Sequence, residues 1–589
     1  VRPALRRGNP SRRLNACLLA IMFVLSLFAG RLVQMQGLDW ASYRQEANSI
    51  KEVRTELPTV RGAIYASNGT VLAMTVQTYL VYADPVMIPA ARRPAVAAAL
   101  SGPLGMPAAT ILNLIDHPTS PAYVILKRGV SQAAASQIKA RMTAMSEYGI
   151  AETASYSRVY PNGDLAANLL GFTDPTAAGD LRGEAGLEQE YNALLAGRDG
   201  AEEFEQGTDG QPIPGTTDII RAQVPAQSLR LTIQSDIQWY AEQACAAEVR
   251  KVRAKTCTAV VMVPRTGKIL AMAQYPLYNP AAPASIAATA DLPVSELFAP
   301  GSTGKVVTVA AALERGGQTP MSVYTVPYQI VVDGFPFHDA EYHPTGRYTI
   351  AGILARSSNV GMVQVAEHVS PQVQYDYLKA FGLDEPTGLG LPGESQGLLP
   401  PVSKWWGDER YTLAFGQGIA VNAVQMASVY ATIANGGVRV QPSVVAGTVS
   451  GSGRFTPARP APRRRVIREK TAHELMRILQ QVPWVDSAAG EPWGIIPGYS
   501  IAAKTGTAQE PDPQRGNCLC EYGSSYIGVA PASDPRLVVA INVQDPRSGT
   551  YYGDAVAGPV FYHIMKFALA TEKIPPDGGG RPRVRLSVP

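Results

Sequence analysis

The 589-residue chain reads as an α+β protein in which one antiparallel sheet has helices packed on it. The run "CTAVVMVPRTGKILAMAQYP", Cys257 to Pro276, is two apolar strands turning at Arg265–Lys268. Towards the end, "YSIAAKTGTAQ", "SSYIGVAPA" and "RLVVAINVQDP" read as three more short strands. A long helix, "DIQWYAEQACAAEVRKVRAK", precedes the first hairpin, a largely helical middle separates the two groups, and "VAGPVFYHIMKFALATE" closes the pattern as a last helix. Strands grouped in this way, rather than alternating with helices, belong to an antiparallel sheet.

The region ahead of this sheet is built differently. Arg2, Arg6, Arg7, Arg12 and Arg13 crowd residues 1–13 with no acid among them. Taking these five from the net charge of +4 leaves the remainder near −1, so no global field favours nucleic acid. Leu14 to Val33, "LNACLLAIMFVLSLFAGRLV", is 20 residues long, enough to cross a bilayer, with Asn15 and Arg31 near its ends. Arginines on its N-terminal side predict that end in the cytoplasm and everything beyond Val33 outside. A cleaved signal peptide would have a shorter apolar run and a small-residue cleavage site, so the reading is an uncleaved anchor.

Residues 34–225 mix short strands with helical runs such as "GLEQEYNALLAG", and the stretch Glu202–Asp218 reads as a hairpin or linker. A second block, 226–575, carries the sheet, and the Pro- and Gly-rich tail 576–589 is expected to be disordered. Export fits the cysteines: Cys17 is in the membrane segment, and Cys245, Cys257, Cys518 and Cys520 lie in an oxidising space with three possible pairings. Cys245 and Cys257 could meet, a Cys518–Cys520 bridge would close a very small, strained ring, and four free thiols are the alternative that the sequence leaves open. The six histidines are scattered, which predicts no metal site, and no cofactor motif is convincing.

The chemistry is concentrated in "FAPGSTGKVVTVAAALERGG", Phe298 to Gly317. Ser302 opens an apolar helix and Lys305 stands one turn further on, so both point the same way. An ordinary lysine has a pKa of about 10.4; bringing it to about 7 takes roughly 4–5 kcal/mol, which burial and the helix dipole can supply. A neutral Lys305 could then take the proton of Ser302 and make it a nucleophile. The spacing alone decides nothing, because Ser136 and Lys139 share it in a surface-like run. Two later stretches give it weight. Ser357 and Asn359 begin another apolar helix in "ARSSNVGMVQVAE", and Lys504, Thr505, Gly506 and Thr507 lie on the strand "IAAKTGTAQ". SxxK, SxN and KTG in that order rarely coincide by chance.

These motifs suit one site. Ser302 attacks an acyl carbon with Lys305 as base, Ser357 relays a proton, and Asn359 holds the substrate amide and Lys305. Lys504, Thr505 and Thr507 bind a carboxylate, and Gly506 keeps the strand clear for substrate. The N–H groups of Ser302 and Thr507 could form an oxyanion hole.

On these residues the chain resembles the class B penicillin-binding proteins of the serine acyl-transferase and β-lactamase superfamily. "VRGAIYASNGTVLA", "RVYPNGDLAANLLGFT" and "GEAGLEQEYNALLAGRDG" resemble the family's N-terminal pedestal blocks, and "AFGQGIAVNAVQMASVYATIANGG" a helical region of its transpeptidase domain. "PGSTGKVVT", "LPGESQGLLPP" and "YYGDAVAGPVF" are most similar to the division-type (FtsI) proteins of actinobacteria. The resemblance implies an elongated pedestal at 34–225, a transpeptidase domain of penicillin-binding fold at 226–575, and cross-linking of peptidoglycan stem peptides ending in D-Ala-D-Ala. It also implies acylation by β-lactam antibiotics, and an FtsW-type glycosyltransferase and other divisome proteins as partners.

Two departures stand out. Many relatives have an aromatic residue where Gly304 stands, which implies a looser helix start or a more open acceptor side. "EPDPQRGNCLCEYG" follows the KTG strand with two cysteines foreign to the family, in a position to fold over the site. Alternatives share the motifs: an elongation-type transpeptidase, a D,D-carboxypeptidase, or, from another class, a divisome scaffold or β-lactam sensor. A β-lactamase needs neither anchor nor pedestal. "GESQG" (393–397) and "GLGLPG" (388–393) mimic hydrolase and dinucleotide motifs but lack the strand and helix those require.

Overall fold

The structure, a computed structural model, describes residues 10–38, 52–118, 120–176, 179–207, 211, 213–512 and 515–589. Most of the basic tail, residues 1–9, lies outside them. The contacts group into two units, one of residues 1–59 and 197–225, the other of residues 60–196 and 226–589.

In the first unit Pro10–Val33 is a single helix with no buried residue. It is, among the described residues, the one helix long and apolar enough to cross a membrane. It fits a single-pass anchor and starts four residues before the apolar run expected at 14–33. The same unit holds a three-stranded antiparallel sheet in which Gly200–Glu205 pairs with Glu52–Leu57 on one side and Asp218–Arg221 on the other.

The second unit joins residues 60–196 with the block that begins at 226. The strand Ser228–Leu231 runs parallel to Ile64–Tyr65 and antiparallel to Val445–Val449, so one seven-stranded sheet takes strands from both. Beside it the three pedestal sequence blocks converge on one buried ion cluster. Glu188 accepts from Arg61 Nε and Arg158 Nε, both at 2.7 Å, while Arg61 also donates to Asn192 Oδ1 and the Glu188 carbonyl. The Glu188 side chain is fully buried and both guanidinium groups nearly so. Removing one partner of such a cluster leaves uncompensated buried charge, at a cost of about 3–5 kcal/mol. Glu188→Ala is therefore expected to lower the thermal midpoint sharply; an unchanged melting curve would show that the cluster is not holding this region.

The central sheet of the second block is five-stranded and antiparallel, in the order Ile269–Tyr275, Thr256–Met262, Leu537–Gln544, Cys518–Ala530, Ala502–Asp512. It is covered on both faces, which is why its central strands carry apolar residues on both sides. Along Leu537–Gln544, Leu537, Val539, Ile541 and Val543 pack against the helices Ser235–Val252 and Gly553–Thr571. Val538 and Ala540 face the opposite core, which includes the helices Lys305–Arg315 and Ala423–Ala434. Each fully buried Val, Leu or Ile here contributes roughly 1.5–3 kcal/mol.

Both cysteine pairs are joined. Cys245–Cys257 ties the helix Ser235–Val252 to its neighbouring strand, and Cys518–Cys520 links two same-face positions on one strand. The tail expected to be disordered is instead laid against the domain. Thr349 N donates to Leu586 O at 3.1 Å, Val588 N to Arg347 O at 3.0 Å, and Gln481 Nε2 to Pro582 O at 2.8 Å. A Cβ on Gly352 would lie 1.8 Å from Leu586 O, so only glycine lets the tail approach. Backbone pairing orders this segment together with Val584 and Leu586, which pack against the core, and overall composition does not report that.

Candidate active site

Ser302 sits in a tight turn, Gly301–Gly304, and Lys305 is the first residue of the helix Lys305–Arg315. The nucleophile candidate thus lies just outside the α-helix that the sequence was expected to start with it. The turn is pinned from three sides: Gly301 N donates to Gly416 O, Ala299 N to Glu510 Oε1, and Tyr430 Oη to Thr303 O. At Gly304 a Cβ would stand 3.3 Å from Gly416 Cα. The helix start is packed rather than loose.

Lys305 is fully buried. Its Nζ donates to Ser357 O at 2.6 Å and Asn359 Oδ1 at 2.7 Å, with Ser357 Oγ at 3.4 Å. Among the described residues no hydrogen bond joins it to Ser302. Burial pushes the Lys305 ammonium well below the ordinary lysine range; the nearby Lys504 charge pushes the same way and Asp339 opposes them. A neutral amine still has two hydrogens for its two short bonds and keeps a lone pair free for a proton.

Ser357 has a left-handed backbone, φ +60°. Ser358 caps the following helix by accepting from Gly361 N at 2.9 Å, and Asn359 is that helix's first residue. The third motif lies on the edge strand Ala502–Asp512. Lys504 is fully buried behind it, donating to Thr505 O and Oγ1. Burial lowers its pKa to about 8 against the opposing charges of Asp486 and Asp554, so it is mostly cationic at neutral pH. A Cβ on Gly506 would meet Ser525 Oγ at 2.4 Å and Pro300 O at 2.9 Å, which is why the strand can lie against the nucleophile turn. Thr507 Oγ1 accepts from Gly553 N at 3.0 Å.

Ser302, Ser357, Asn359, Thr505, Gly506 and Thr507 line one cavity of about 400 Å³, with both lysines behind its wall. All eight predicted residues are therefore brought together. Ser136 and Lys139, with the same spacing, are exposed on the helix Gln132–Ala144. Ser395 of "GESQG" lies in a loop tied by Glu394, which accepts from Thr387 and from Gly390 N. The segment after the KTG strand extends the hairpin and contributes no described residue to the cavity lining. Asp512, Cys518 and Cys520 cluster there, but the two sulfurs are bonded to each other and offer no thiolate. Sequence reasoning missed Asp339, Asp486 and Asp554, which line the cavity: the first two belong to no motif, and Asp554, within "YYGDAVAGPVF", was given no role.

A serine in a tight turn, a buried lysine held by a Ser-x-Asn turn, and a Lys-Thr-Gly strand thus lie along one cleft, the arrangement expected of a serine acyltransferase. The profile of the penicillin-binding protein transpeptidase domain matches residues 257–566, and that of the penicillin-binding protein dimerisation domain residues 56–231. The chain belongs to the penicillin-binding protein transpeptidase family. It is 34% identical to penicillin-binding protein PbpB of Mycolicibacterium smegmatis, over 95% of this chain and 91% of that protein. It is 31% identical to peptidoglycan D,D-transpeptidase FtsI of Escherichia coli over 95% and 91%. Among solved structures, a peptidoglycan synthetase from Bifidobacterium adolescentis superposes with a TM-score of 0.73 at 30% identity, covering 91% of this chain and all of that one. Penicillin-binding protein 3 of Mycobacterium tuberculosis, solved with aztreonam, gives 0.69 at 28%, with the same coverage.

Proposed function

We propose that this transpeptidase cross-links peptidoglycan stem peptides at the division septum through an acyl-enzyme on Ser302. The observation that carries the reading is the single cavity onto which Ser302, Ser357, Asn359 and the Thr505–Thr507 strand converge, with Lys305 Nζ buried between Ser357 and Asn359.

Neutral Lys305 takes the proton of Ser302 Oγ as that oxygen bonds to the carbonyl carbon of the penultimate D-alanine. The N–H groups of Ser302 and Thr507 stabilise the oxyanion. Ser357 passes the proton to the leaving nitrogen, and D-alanine departs. Thr505 and Thr507 hold its carboxylate, with the buried Lys504 charge behind them. An amine of a second stem then attacks the ester carbon and gives up a proton to Lys305, which passes it to Ser302 Oγ as the ester bond breaks. A β-lactam ring would acylate the same oxygen. The helix Pro10–Val33 anchors the protein with its arginine-rich end in the cytoplasm, and an FtsW-type glycosyltransferase supplies the glycan strand. The septal role draws support from the likeness to FtsI- and PbpB-type proteins along nearly the whole chain.

The test is product analysis. The chain, given a stem pentapeptide ending in D-Ala-D-Ala and an excess of an amino acceptor, should release D-alanine and form the new amide in equal amounts. Release with hydrolysis alone would make the protein a carboxypeptidase; no release would favour a scaffold or sensor.

A further inference from the structure

Ser357 is held in a left-handed conformation that is strained for a residue with a side chain and persists only where neighbours over-determine it. The end of the preceding helix holds one side of it, with Ser357 N donating to Leu354 O at 3.2 Å and Ser358 N to Ile353 O at 3.0 Å, and one side chain holds the other. Asp339 is 5% exposed, and its carboxylate takes four donors. Oδ1 accepts from the backbone N–H groups of Asn359 and Val360, the second at 2.9 Å. Oδ2 accepts from Ser358 Oγ at 2.7 Å and pairs with His343 Nε2 at 2.9 Å. Asp339 thus saturates the first N–H groups of the helix Asn359–Ala366, at the end where negative charge is favoured, and fixes the cap residue directly after Ser357.

The consequences run straight to the base. Both short hydrogen bonds of Lys305 end on this turn, at Ser357 O and Asn359 Oδ1. We propose that Asp339 is a positioning residue for acyl transfer, acting through Ser358 and Asn359 to hold the Ser357 turn and, with it, the acceptors of Lys305. It touches no reacting atom. Its charge acts as well: of the charged groups facing Lys305, Lys504 opposes the ammonium and Asp339 favours it. On the far side Asp339 is faced by His343, itself beside Arg356, and both line the cavity wall.

The inference rests on the reading of the site given above. The experiment follows acylation of the full-length protein by a fluorescent penicillin from pH 5 to 9. It compares wild type, Asp339→Asn, and Tyr411→Phe, which removes the bond from Tyr411 Oη to Asp333 and so loosens the same segment without touching the turn. Asp339→Asn is expected to acylate about 100-fold more slowly, the scale of a small misplacement of reacting groups. Its acid limb should also move to lower pH, because a charge that favours protonated Lys305 is gone. Tyr411→Phe should keep the wild-type limb and stay within a few-fold in rate.

A rate for Asp339→Asn within threefold of wild type, or a loss matched by Tyr411→Phe with an unmoved limb, would overturn the proposal. Amide exchange across residues 357–361 separates this from failure of the site reading, since it needs no acylation. It must speed up in Asp339→Asn, and unchanged exchange there would overturn the proposal by itself.

Discussion

Ser302→Ala is expected to abolish covalent labelling by penicillin and all release of D-alanine, a loss on the order of 10⁶ in turnover for removal of a catalytic serine. The side chain lies in a turn fixed by Gly416 O, Glu510 and Tyr430, none of which touches the Ser302 hydroxyl, so the variant should fold as wild type does. Ser136→Ala provides the matched comparison. It alters a serine with the same spacing to a lysine, on an exposed helix, and should label fully. Adduct formation surviving in Ser302→Ala, with mass mapping to another serine, would refute the mechanism at its first step.

Lys305→Ala should reduce acylation by about 10³- to 10⁴-fold, at the upper end of what a general base contributes. The decisive companion is Lys305→Arg. A guanidinium keeps the positive charge but stays protonated at all working pH values. If Lys305 worked as a cation, arginine would rescue the variant; as a base, arginine should be nearly as inactive as alanine. The pH profile must agree. Burial holds the Lys305 pKa well below its ordinary value, so the active amine predominates at high pH and is lost as pH falls through that lowered pKa. Acylation should therefore rise with pH and level off below the usual lysine range. A rate that climbs only near pH 10 would mean that Lys305 is not desolvated in solution as its burial requires.

The eight motif residues were legible because each motif is local and its neighbours set the secondary structure that presents it. The central strands were legible for a similar reason: Leu537 to Ile541 are apolar at every position, as a strand covered on both faces requires. What escaped is non-local. Asp339 lies about 20 residues before the turn it holds, in a hairpin-rich stretch whose charge could as well have faced solvent. The tail has only the short alternation Val584, Leu586, Val588 after a Pro- and Gly-rich run, and much of its order comes from carbonyls and amides that every sequence possesses. The grouping of residues 60–196 with the second block could not be read either, since it depends on Leu229 pairing with Ile64, 165 positions away, and with Thr448.

That pairing has a mechanical meaning. A linker at 225/226 would let two modules swivel, and force on one would be spent in bending the joint. Here the strand that follows position 226 is clamped between a strand from each side, so the joint is a splice. Torque on residues 60–196 is transmitted to the cleft-bearing body through backbone hydrogen bonds loaded together in shear, and the two turn as one lever.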